Sequence, residues 1–194
     1  MKFDKEHYEN SGIGEFTDDE IINSPDLLYR CRWIAEFIKP GSVLDLGCNN
    51  GLVSLKYAYE GRRVLGIDLS HIAIEYCNTF LKRYDLTNSE YKQGIIEEFK
   101  SKEKFDNIFL CEVIEHVENP ERILEVAESH FKKDGIIFVT TPEYSGPFGK
   151  DNPGDIDGEH LRIYNDKEFK KIIEKRGKII NFQSKQLIYV AYTL

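Results

Sequence analysis

Short apolar runs alternate with amphipathic segments along most of this chain. Four of the runs are short enough and apolar enough to predict buried strands: SVLDLG (42–47), RVLGID (63–68), FDNIFLCEV (105–113) and GIIFVTTP (135–142). The segments between them place apolar residues at helical spacing: 52–59, 70–84 and 120–131. Strands that alternate with helices predict a mostly parallel sheet with helices on both faces.

The two ends of the chain complete this pattern. Residues 89–93 predict a short strand, residues 166–176 a helix, and residues 178–194 two strands too close together for a crossover helix, hence an antiparallel hairpin. Near the start, Thr17 and Glu20 have the spacing of a capping box. Ser24-Pro25 predicts the start of a second helix with apolar residues from Leu27 to Ile38.

The predicted fold class is therefore α/β, a single Rossmann-like three-layer sandwich. Its mostly parallel sheet has seven strands, with an antiparallel terminal strand. Residues 1–39 are expected to form an N-terminal helical extension or lid, and residues 40–194 the main domain.

Composition and charge narrow the class of protein. The chain has 194 residues, of which 41% are hydrophobic, and this suits one domain with a substantial core. No run approaches the roughly 18 apolar residues of a membrane helix, and the polar start MKFDKEHYEN is unlike a signal peptide, so a cytoplasmic location is expected. The formal net charge is −8 and Lys and Arg form no basic stripe. This argues against a long nucleic-acid duplex as partner, but not against a short RNA end.

The segment from Val43 to Gly51, VLDLGCNNG, carries the first candidate chemistry. A predicted strand ends at Gly47 and a helix follows Gly51, so the backbone can approach a ligand above the strand ends. Asp68 ends the next strand, where a carboxylate can accept both hydroxyls of a ribose. A dinucleotide site requires GxGxxG, whereas this turn has GxxxG and is preceded by acidic Asp45. A carboxylate there repels a pyrophosphate and suits an ammonium and a sulfonium, which favours S-adenosylmethionine over NAD.

Four blocks, VLDLGCNNG, GIDLS, FDNIFLCEVIEHVENP and FKKDGIIFVTTP, occur in an order and spacing that resembles the class I S-adenosylmethionine-dependent methyltransferases. The resemblance covers roughly residues 40–194 and implies S-adenosyl-L-methionine as cofactor. By position it implies that Asp45 and the glycines shape the methionine end of the site, Asp68 holds the ribose and Leu69 packs on the adenine. The cofactor-binding residues predicted in this way are Asp45, Gly47, Cys48, Asn49, Gly51, Asp68, Leu69 and Cys111. The chain departs from the family pattern at Asn49, where Gly is usual, and at residues 93–96, which lack the usual acid.

A cluster of acidic and imidazole groups follows the fourth strand. In EVIEH, a helical turn would place Glu112, Glu115 and His116 on one face, and His160 could reach the same crevice. The cluster has three open interpretations. It can hold a divalent metal (Mg²⁺, Mn²⁺ or Zn²⁺) through Glu112, Glu115, His116 and His160. His116 can instead act as general base with Glu115 and without metal, or Glu115 and His116 can simply stabilise the helix at Pro120.

The same cluster resembles two groups of methyltransferases that share ExxEH and a later His. They are the ubiquinone-biosynthesis O-methyltransferases, which act on catechols, and the RNA 3′-terminal 2′-O-methyltransferases. Because the chain is acidic and lacks the motifs of DNA-directed enzymes, O-methylation of a small hydroxylated metabolite, sugar or aromatic diol is the first expectation. The RNA end is the alternative, and a non-catalytic cofactor-binding module is a third. Substrate specificity is expected in the loop 143–159, with Tyr144, Phe148 and Tyr164 as a possible aromatic wall.

Overall fold

Seven strands form one sheet in the computed structural model, which describes residues 16–144 and 160–194. The strands are β1 Val43–Leu46, β2 Val64–Asp68, β3 Glu90–Gln93, β4 Phe105–Cys111, β5 Phe131–Pro142, β6 Lys178–Ser184 and β7 Leu187–Thr193. Their order across the sheet is β3-β2-β1-β4-β5-β7-β6. Neighbours from β3 to β5 are parallel, whereas β7 runs antiparallel to both β5 and β6. The predicted seven-stranded, mostly parallel sheet with an antiparallel terminal strand is confirmed.

Helices cover both faces of this sheet. They are α1 Asp18–Ile22, α2 Ser24–Leu27, α3 Tyr29–Phe37, α4 Leu55–Tyr59, α5 His71–Arg83, α6 Pro120–Ser129 and α7 Asp166–Glu174, with a 3₁₀ turn at Ile96–Glu98. The predicted capping box of α1 is present, since Thr17 accepts from the Glu20 N–H and the Glu20 carboxylate accepts from the Thr17 N–H. Side chains of Ser70, Asn119 and Asn165 cap the starts of α5, α6 and α7.

Two apolar cores result, one on each face. Helices α6 and α7 bury Ile123 and Phe169 on one face, together with strand residues such as Ile108. On the other face, α3, α4 and α5 pack against strand residues that include Phe109 and Phe138. The alternation of strand side chains between the two cores makes the three-layer sandwich.

The N-terminal segment contributes to the second core. Ile21, Trp33 and Ile34 are fully buried there. Residues 1–15, the first part of the expected extension or lid, lie outside the described residues, and the boundary at residue 39 stays a prediction. No helix among the described residues is long and apolar enough to cross a membrane.

Two predicted helices were placed incorrectly. The helix expected to start at Ser24 is broken at Leu28, whose backbone is extended (φ −116°, ψ 128°), and the N-cap of α2 is Asn23. The break turns the chain so that α3 can bury Trp33 and Ile34, a tertiary gain that outweighs local helical spacing. The helix expected from residue 52 begins at Leu55, because residues 51–54 form turns.

Strand ends also differ from the prediction. Helix α6 stops at Ser129, and β5 begins at Phe131 instead of Gly135, because Phe131 pairs with Phe105 of β4 before the register shifts. Strand β4 ends at Cys111 instead of residue 113, since Glu112 has a positive φ of 57° and turns the chain away from the sheet. This turn directs the EVIEH segment across the carboxyl ends of the strands.

Candidate functional site

The glycine turn after β1 has the left-handed backbone that its sequence suggests. Gly47 and Gly51 have φ values of 78° and 74°, and Asn49 between them has a φ of 45°. A Cβ on Gly47 would lie 2.4 Å from Cγ2 of Val113, and one on Gly51 would lie 2.6 Å from Cγ of Leu55. Glycine is therefore required at both positions by conformation and by space.

Asp68 ties this turn to the end of β2. Its Oδ2 accepts from the Asn49 backbone N–H at 2.7 Å, and its Oδ1 accepts from the Ser70 N–H at 2.8 Å. Burial raises the pKa of the carboxyl, and these N–H donors oppose the rise. Each oxygen has a further lone pair for a ligand hydroxyl. The neighbouring Leu69 carbonyl accepts from the side-chain amide of Gln93 at 2.9 Å, which connects the ends of β2 and β3.

Asp45 is a buried carboxylate at the same edge. It is 2% exposed, and its Oδ2 has no hydrogen-bond partner among the described residues. Burial raises the pKa of Asp45 to about 7, with Ser54 lowering it and Asp68 raising it further. Because buried polar atoms are rarely left without a partner, this oxygen is available for a cationic or hydrogen-bond-donating ligand.

Cys48 and Cys111, the two cysteines predicted to bind the cofactor, lie in different parts of the site. Cys48 is buried below the turn beside the Cys77 thiol, and burial together with this neighbour raises the pKa of Cys48. Cys77 donates to the Asn49 carbonyl at 3.4 Å, so both thiols pack under the turn. Cys111 is half-buried at the end of β4, and burial raises the pKa of its thiol.

Arg30 of α3 is a residue that the sequence analysis missed. Its Nη1 lies 3.5 Å from Glu112 Oε1, and its buried Nε has no hydrogen-bond partner within the described part of the chain. The signal for it was present: Arg30 precedes Trp33 and Ile34 by three and four residues, so it shares their buried helix face. The helix thus presents a cation to the carboxyl ends of the strands.

The two glutamates of EVIEH bond to adjacent threonines of β5. The Thr140 hydroxyl donates to Glu112 Oε1 at 2.7 Å, and the Thr141 hydroxyl donates to Glu115 Oε2 at 3.1 Å. Glu115 is fully buried, and its Oε1 has no hydrogen-bond partner in the described regions. Burial and the nearby Glu112 raise the pKa of Glu115 well above its usual range.

His116 and His160 lie against each other beside Glu115. Their ring centroids are 4.7 Å apart, and His116 Nε2 lies 3.8 Å from Glu115 Oε1. His160 is held nearby because the next residue, Leu161, donates its N–H to the Glu115 carbonyl at 2.8 Å. One ligand atom from each of Glu115, His116 and His160 falls within 4.8 Å of the others. Glu112 lies outside this group of three.

The loop expected to set specificity is described only at its ends. Residues 145–159, with Phe148, lie outside the described residues. Tyr164 packs its ring on Phe169, with 4.9 Å between centroids, and its carbonyl accepts from the Tyr144 N–H at 2.9 Å. These contacts anchor the chain on both sides of the loop next to the histidine pair.

The site therefore has two adjoining parts on one edge of the sheet. The first, at the ends of β1 and β2, has the left-handed turn, two carboxylates and a nearby arginine. These groups are suited to binding a polar small molecule that contains a ribose. The second, at the ends of β4 and β5, offers a buried carboxylate and two imidazoles, groups that can accept a proton or ligate a metal.

Comparison of the sequence and of the fold with known proteins identifies methyltransferases in each case. The sequence model of a family described as a methyltransferase domain matches residues 26–178. A ubiquinone biosynthesis O-methyltransferase of Histophilus somni (strain 2336) is 32% identical over 134 residues, which cover 66% of this chain and 56% of that protein. One from Rickettsia canadensis (strain McKiel) is 35% identical over 99 residues, 51% of this chain and 42% of that protein. The chain thus spans about half the length of the curated relatives it matches.

Solved structures share the fold. Magnesium protoporphyrin IX methyltransferase from Synechocystis PCC 6803, with bound S-adenosylhomocysteine (SAH), has a TM-score of 0.68 at 16% identity, covering 94% of this chain and 90% of that one. Coclaurine N-methyltransferase, bound to N-methylheliamine and SAH, has a TM-score of 0.68 at 24% identity, covering 92% of this chain and 55% of that one. At these identities the likeness concerns the fold alone.

Proposed function

Because the chain belongs to the methyltransferase-domain family and has the class I fold of that superfamily, we propose that it transfers a methyl group from S-adenosylmethionine to a hydroxyl of a small acceptor. The observation that carries the proposal is the position of the two parts of the site. Asp45 on β1 and the Glu115–His116–His160 group beside β5 lie at the same edge of one sheet, separated by β4. A methyl donor and a hydroxyl acceptor can therefore be held next to each other.

The residues of the first part fit the cofactor. When bound, S-adenosylmethionine supplies a methyl group on a positively charged sulfur. The unpartnered Asp45 oxygen is suited to the ammonium of its methionine end, and the half-buried Arg30 cation to the carboxylate. Asp68 is suited to the ribose hydroxyls, because its backbone bonds fix the orientation of both oxygens.

The second part provides acceptor chemistry. His116 is the candidate general base for the hydroxyl proton, and the side chain of Glu115, whose Oε1 lies 3.8 Å from His116 Nε2, is placed to orient the imidazole. Most of the remaining rate enhancement is expected from holding the hydroxyl oxygen in line with the methyl group. The printed names of the ubiquinone-biosynthesis relatives, which are O-methyltransferases, support an oxygen acceptor.

Metal assistance is the second candidate for this part of the site. The unpartnered Glu115 oxygen and the two imidazoles form a donor set that suits Mn²⁺ or Zn²⁺, and fits Mg²⁺ less well because nitrogen ligands predominate. A bound divalent ion would lower the pKa of an acceptor hydroxyl. An acceptor with two adjacent hydroxyls, such as a catechol, a sugar or the terminal ribose of an RNA, would then be favoured.

The test separates donor, acceptor and metal. Calorimetry should show saturable SAH binding to the wild-type protein. If the wild-type protein does not bind SAH, the proposal is wrong. Turnover, measured as SAH release, is then assayed with catechol, a monosaccharide and a short RNA with a free 3′ diol, each with and without Mg²⁺, Mn²⁺ and Zn²⁺. Catechol or sugar turnover supports the proposal, whereas turnover of RNA alone would replace the small acceptor by an RNA end.

Two variants locate the chemistry. His116→Asn should retain SAH binding and lose on the order of 100-fold or more in turnover, while the same change at the exposed His71, at the start of α5, should leave the turnover of the enzyme saturated with S-adenosylmethionine close to wild type. Titration of Mn²⁺ or Zn²⁺ into SAH-saturated protein distinguishes the two mechanisms. Binding that is lost in both His116→Ala and His160→Ala supports the metal, and the absence of binding leaves His116 as the base.

A further inference from the structure

Two adjacent threonines at the end of β5 are oriented by the strand to opposite faces of the sheet. Thr140 and Thr141 are both fully buried, and successive side chains of a strand alternate between its faces. Each hydroxyl nevertheless donates to a carboxylate of the same five-residue segment, Thr140 to Glu112 and Thr141 to Glu115. The segment thus crosses the end of β5 with one glutamate held on each side.

Thr140 binds Glu112 at two points. The Glu112 N–H donates to the Thr140 carbonyl at 3.0 Å, and the Thr140 hydroxyl donates to Glu112 Oε1 at 2.7 Å. Glu112 has a φ of 57°, a conformation that a residue with a side chain adopts only when its surroundings enforce it. The carboxylate oxygen that Thr140 holds is also the one that lies 3.5 Å from Arg30.

Thr141 forms a hydrogen bond with only one of the two side-chain oxygens of Glu115. It donates to Oε2 at 3.1 Å, so that Oε1 is left without a partner and lies 3.8 Å from His116 Nε2. The backbone carbonyl of the same glutamate accepts from Leu161 and so anchors the segment that carries His160. A change in the orientation of Glu115 would therefore reach both imidazoles.

We propose that Thr140 and Thr141 are positioning residues that assign the two glutamates to different tasks. Thr140 holds Glu112 next to the Arg30 cation on the cofactor side, and Thr141 directs the free oxygen of Glu115 to the histidines on the acceptor side. The kinetic part of this inference rests on the proposed function. The positions of the two glutamates do not rest on it and can be measured separately.

The structural arm uses backbone amide resonances of SAH-bound protein, assigned by NMR. Thr140→Val should shift the Glu112 amide and Thr141→Val the Leu161 amide, whereas Thr140→Ser and Thr141→Ser, which keep the hydroxyl, should leave them near their wild-type positions. Thr87→Val makes the same chemical change in an exposed turn and should shift neither. Amide resonances far from β5 that keep their wild-type positions show that each variant is folded. Unchanged Glu112 and Leu161 amides in the valine variants would overturn the proposal.

The kinetic arm uses whichever acceptor of the panel the wild-type protein methylates. Thr141→Val should lower kcat on the order of tenfold to a hundredfold, the effect of leaving a buried carboxyl oxygen without its hydrogen-bond donor, with little change in KM. Thr141→Ser should restore most of kcat. Thr140→Val combined with Glu112→Gln should be no slower than Glu112→Gln alone, because both changes act through the same carboxylate.

The two arms separate the possible failures. The amides could shift while Thr140→Val and Glu112→Gln each reduce kcat independently, so that the double variant shows the product of the two reductions. This outcome would overturn the positioning role. Shifted amides in a protein that methylates no acceptor would refute the proposed function and leave the placement of the glutamates supported.

Discussion

Asp45 is the residue through which pH is expected to control cofactor binding. Burial raises its pKa to about 7 in the unliganded protein, so the side chain is largely protonated below that pH. An ammonium group binds the ionised carboxylate, which means that binding at lower pH must first release a proton. SAH affinity is therefore expected to fall by up to about tenfold per pH unit below 7. Calorimetry between pH 5.5 and 7.5 measures this slope.

Two asparagine variants test the assignment. Asp45→Asn should bind SAH more weakly at pH 7.5 and lose the slope, because the amide does not titrate. Asp106→Asn is the matched control: this acid lies at the opposite end of the sheet, and its contacts with Lys132 and Ser42 hold the pKa of its carboxyl below the usual value. It should retain the wild-type slope. A wild-type slope in Asp45→Asn would assign the titration to another group.

The same shift has an opposite consequence for folding. Since the pKa of Asp45 is higher in the folded than in the unfolded chain, the unliganded fold loses stability as pH rises from about 4 towards 7. Asp45→Asn removes the buried charge. The difference in stability between variant and wild type is thus expected to move in favour of the variant over that pH range.

Gly47 illustrates how conformation and close packing act together. Alanine at this position would have to adopt a φ of 78° and would place its Cβ 2.4 Å from Val113. Gly61 has a similar φ of 84°, but a Cβ at this position would meet no atom within 4 Å, so Gly61→Ala carries the conformational cost alone. Gly61→Ala is expected to cost about 1 kcal/mol of unfolding free energy and to leave SAH binding intact.

Gly47→Ala should be more severe, at about 2 to 4 kcal/mol, because overpacking adds to the backbone strain. It should also weaken SAH binding, since relief of the contact requires the turn or Val113 to move. Urea denaturation and calorimetry of the two variants measure both effects. Equal costs for the two substitutions would show that the contact with Val113 is easily relieved.

Helices α6 and α7 are connected to β7 by a hydrogen-bonded cluster of three side chains: Arg176, Glu128 and Tyr192. Arg176, just after α7, donates from Nε and Nη2 to the two oxygens of Glu128 on α6, at 2.6 and 2.9 Å. The hydroxyl of the fully buried Tyr192 donates to the same carboxylate at 3.1 Å. Since the side chains of Arg176 and Glu128 are only 16% and 19% exposed, solvent screens this pair weakly.

Arg176→Ala is accordingly expected to lower the free energy of unfolding by about 2 to 3 kcal/mol, because it leaves the Glu128 charge without its cation. Arg122→Ala is the control, because Arg122 of α6 forms an exposed ion pair with Glu125, which is 57% exposed. It should lower the free energy of unfolding by no more than about 0.5 kcal/mol. Urea unfolding compares the two. Similar losses would mean that the group contributes no more than a surface ion pair.

The helices and strands themselves were largely predictable, and the errors have a common cause. Periodicity located every strand of the sheet, but it extended one helix through Leu28 and missed the first residues of β5. Both errors occur where tertiary packing decides the local structure: Trp33 must reach the sheet, and Phe131 pairs with Phe105. Local sequence does not contain that information.

For the site, the limit of sequence reasoning lies in register. Asp45, Gly47 and Asp68 stand at strand ends and carry recognisable chemistry, so their common edge could be predicted. Thr140 and Thr141 looked like ordinary strand residues, because their role depends on how β5 is aligned with the EVIEH segment. Arg30 depends in the same way on how α3 crosses the sheet.

In the whole molecule, the proposed cofactor site joins sections that are distant in sequence: the turn after β1, the end of β2 and helix α3. A ligand that binds only the folded chain adds to its stability, by about 2.7 kcal/mol at a ligand concentration 100 times Kd. SAH should therefore raise the unfolding temperature by several degrees. Hydrogen exchange should show where this stabilisation acts locally.

With SAH bound, added protection is expected in residues 43–54, in residues 64–71 and around Arg30, because the ligand links these sections directly. The amino-terminal edge of the sheet, around Asp106 and Lys132, should show only the change that follows from slower global unfolding. Arg30→Met should abolish the extra protection of α3 while that of the glycine turn persists. Protection confined to the turn in the wild-type protein would mean that α3 takes no part in cofactor binding, and the Arg30 cation would then have to serve the acceptor side.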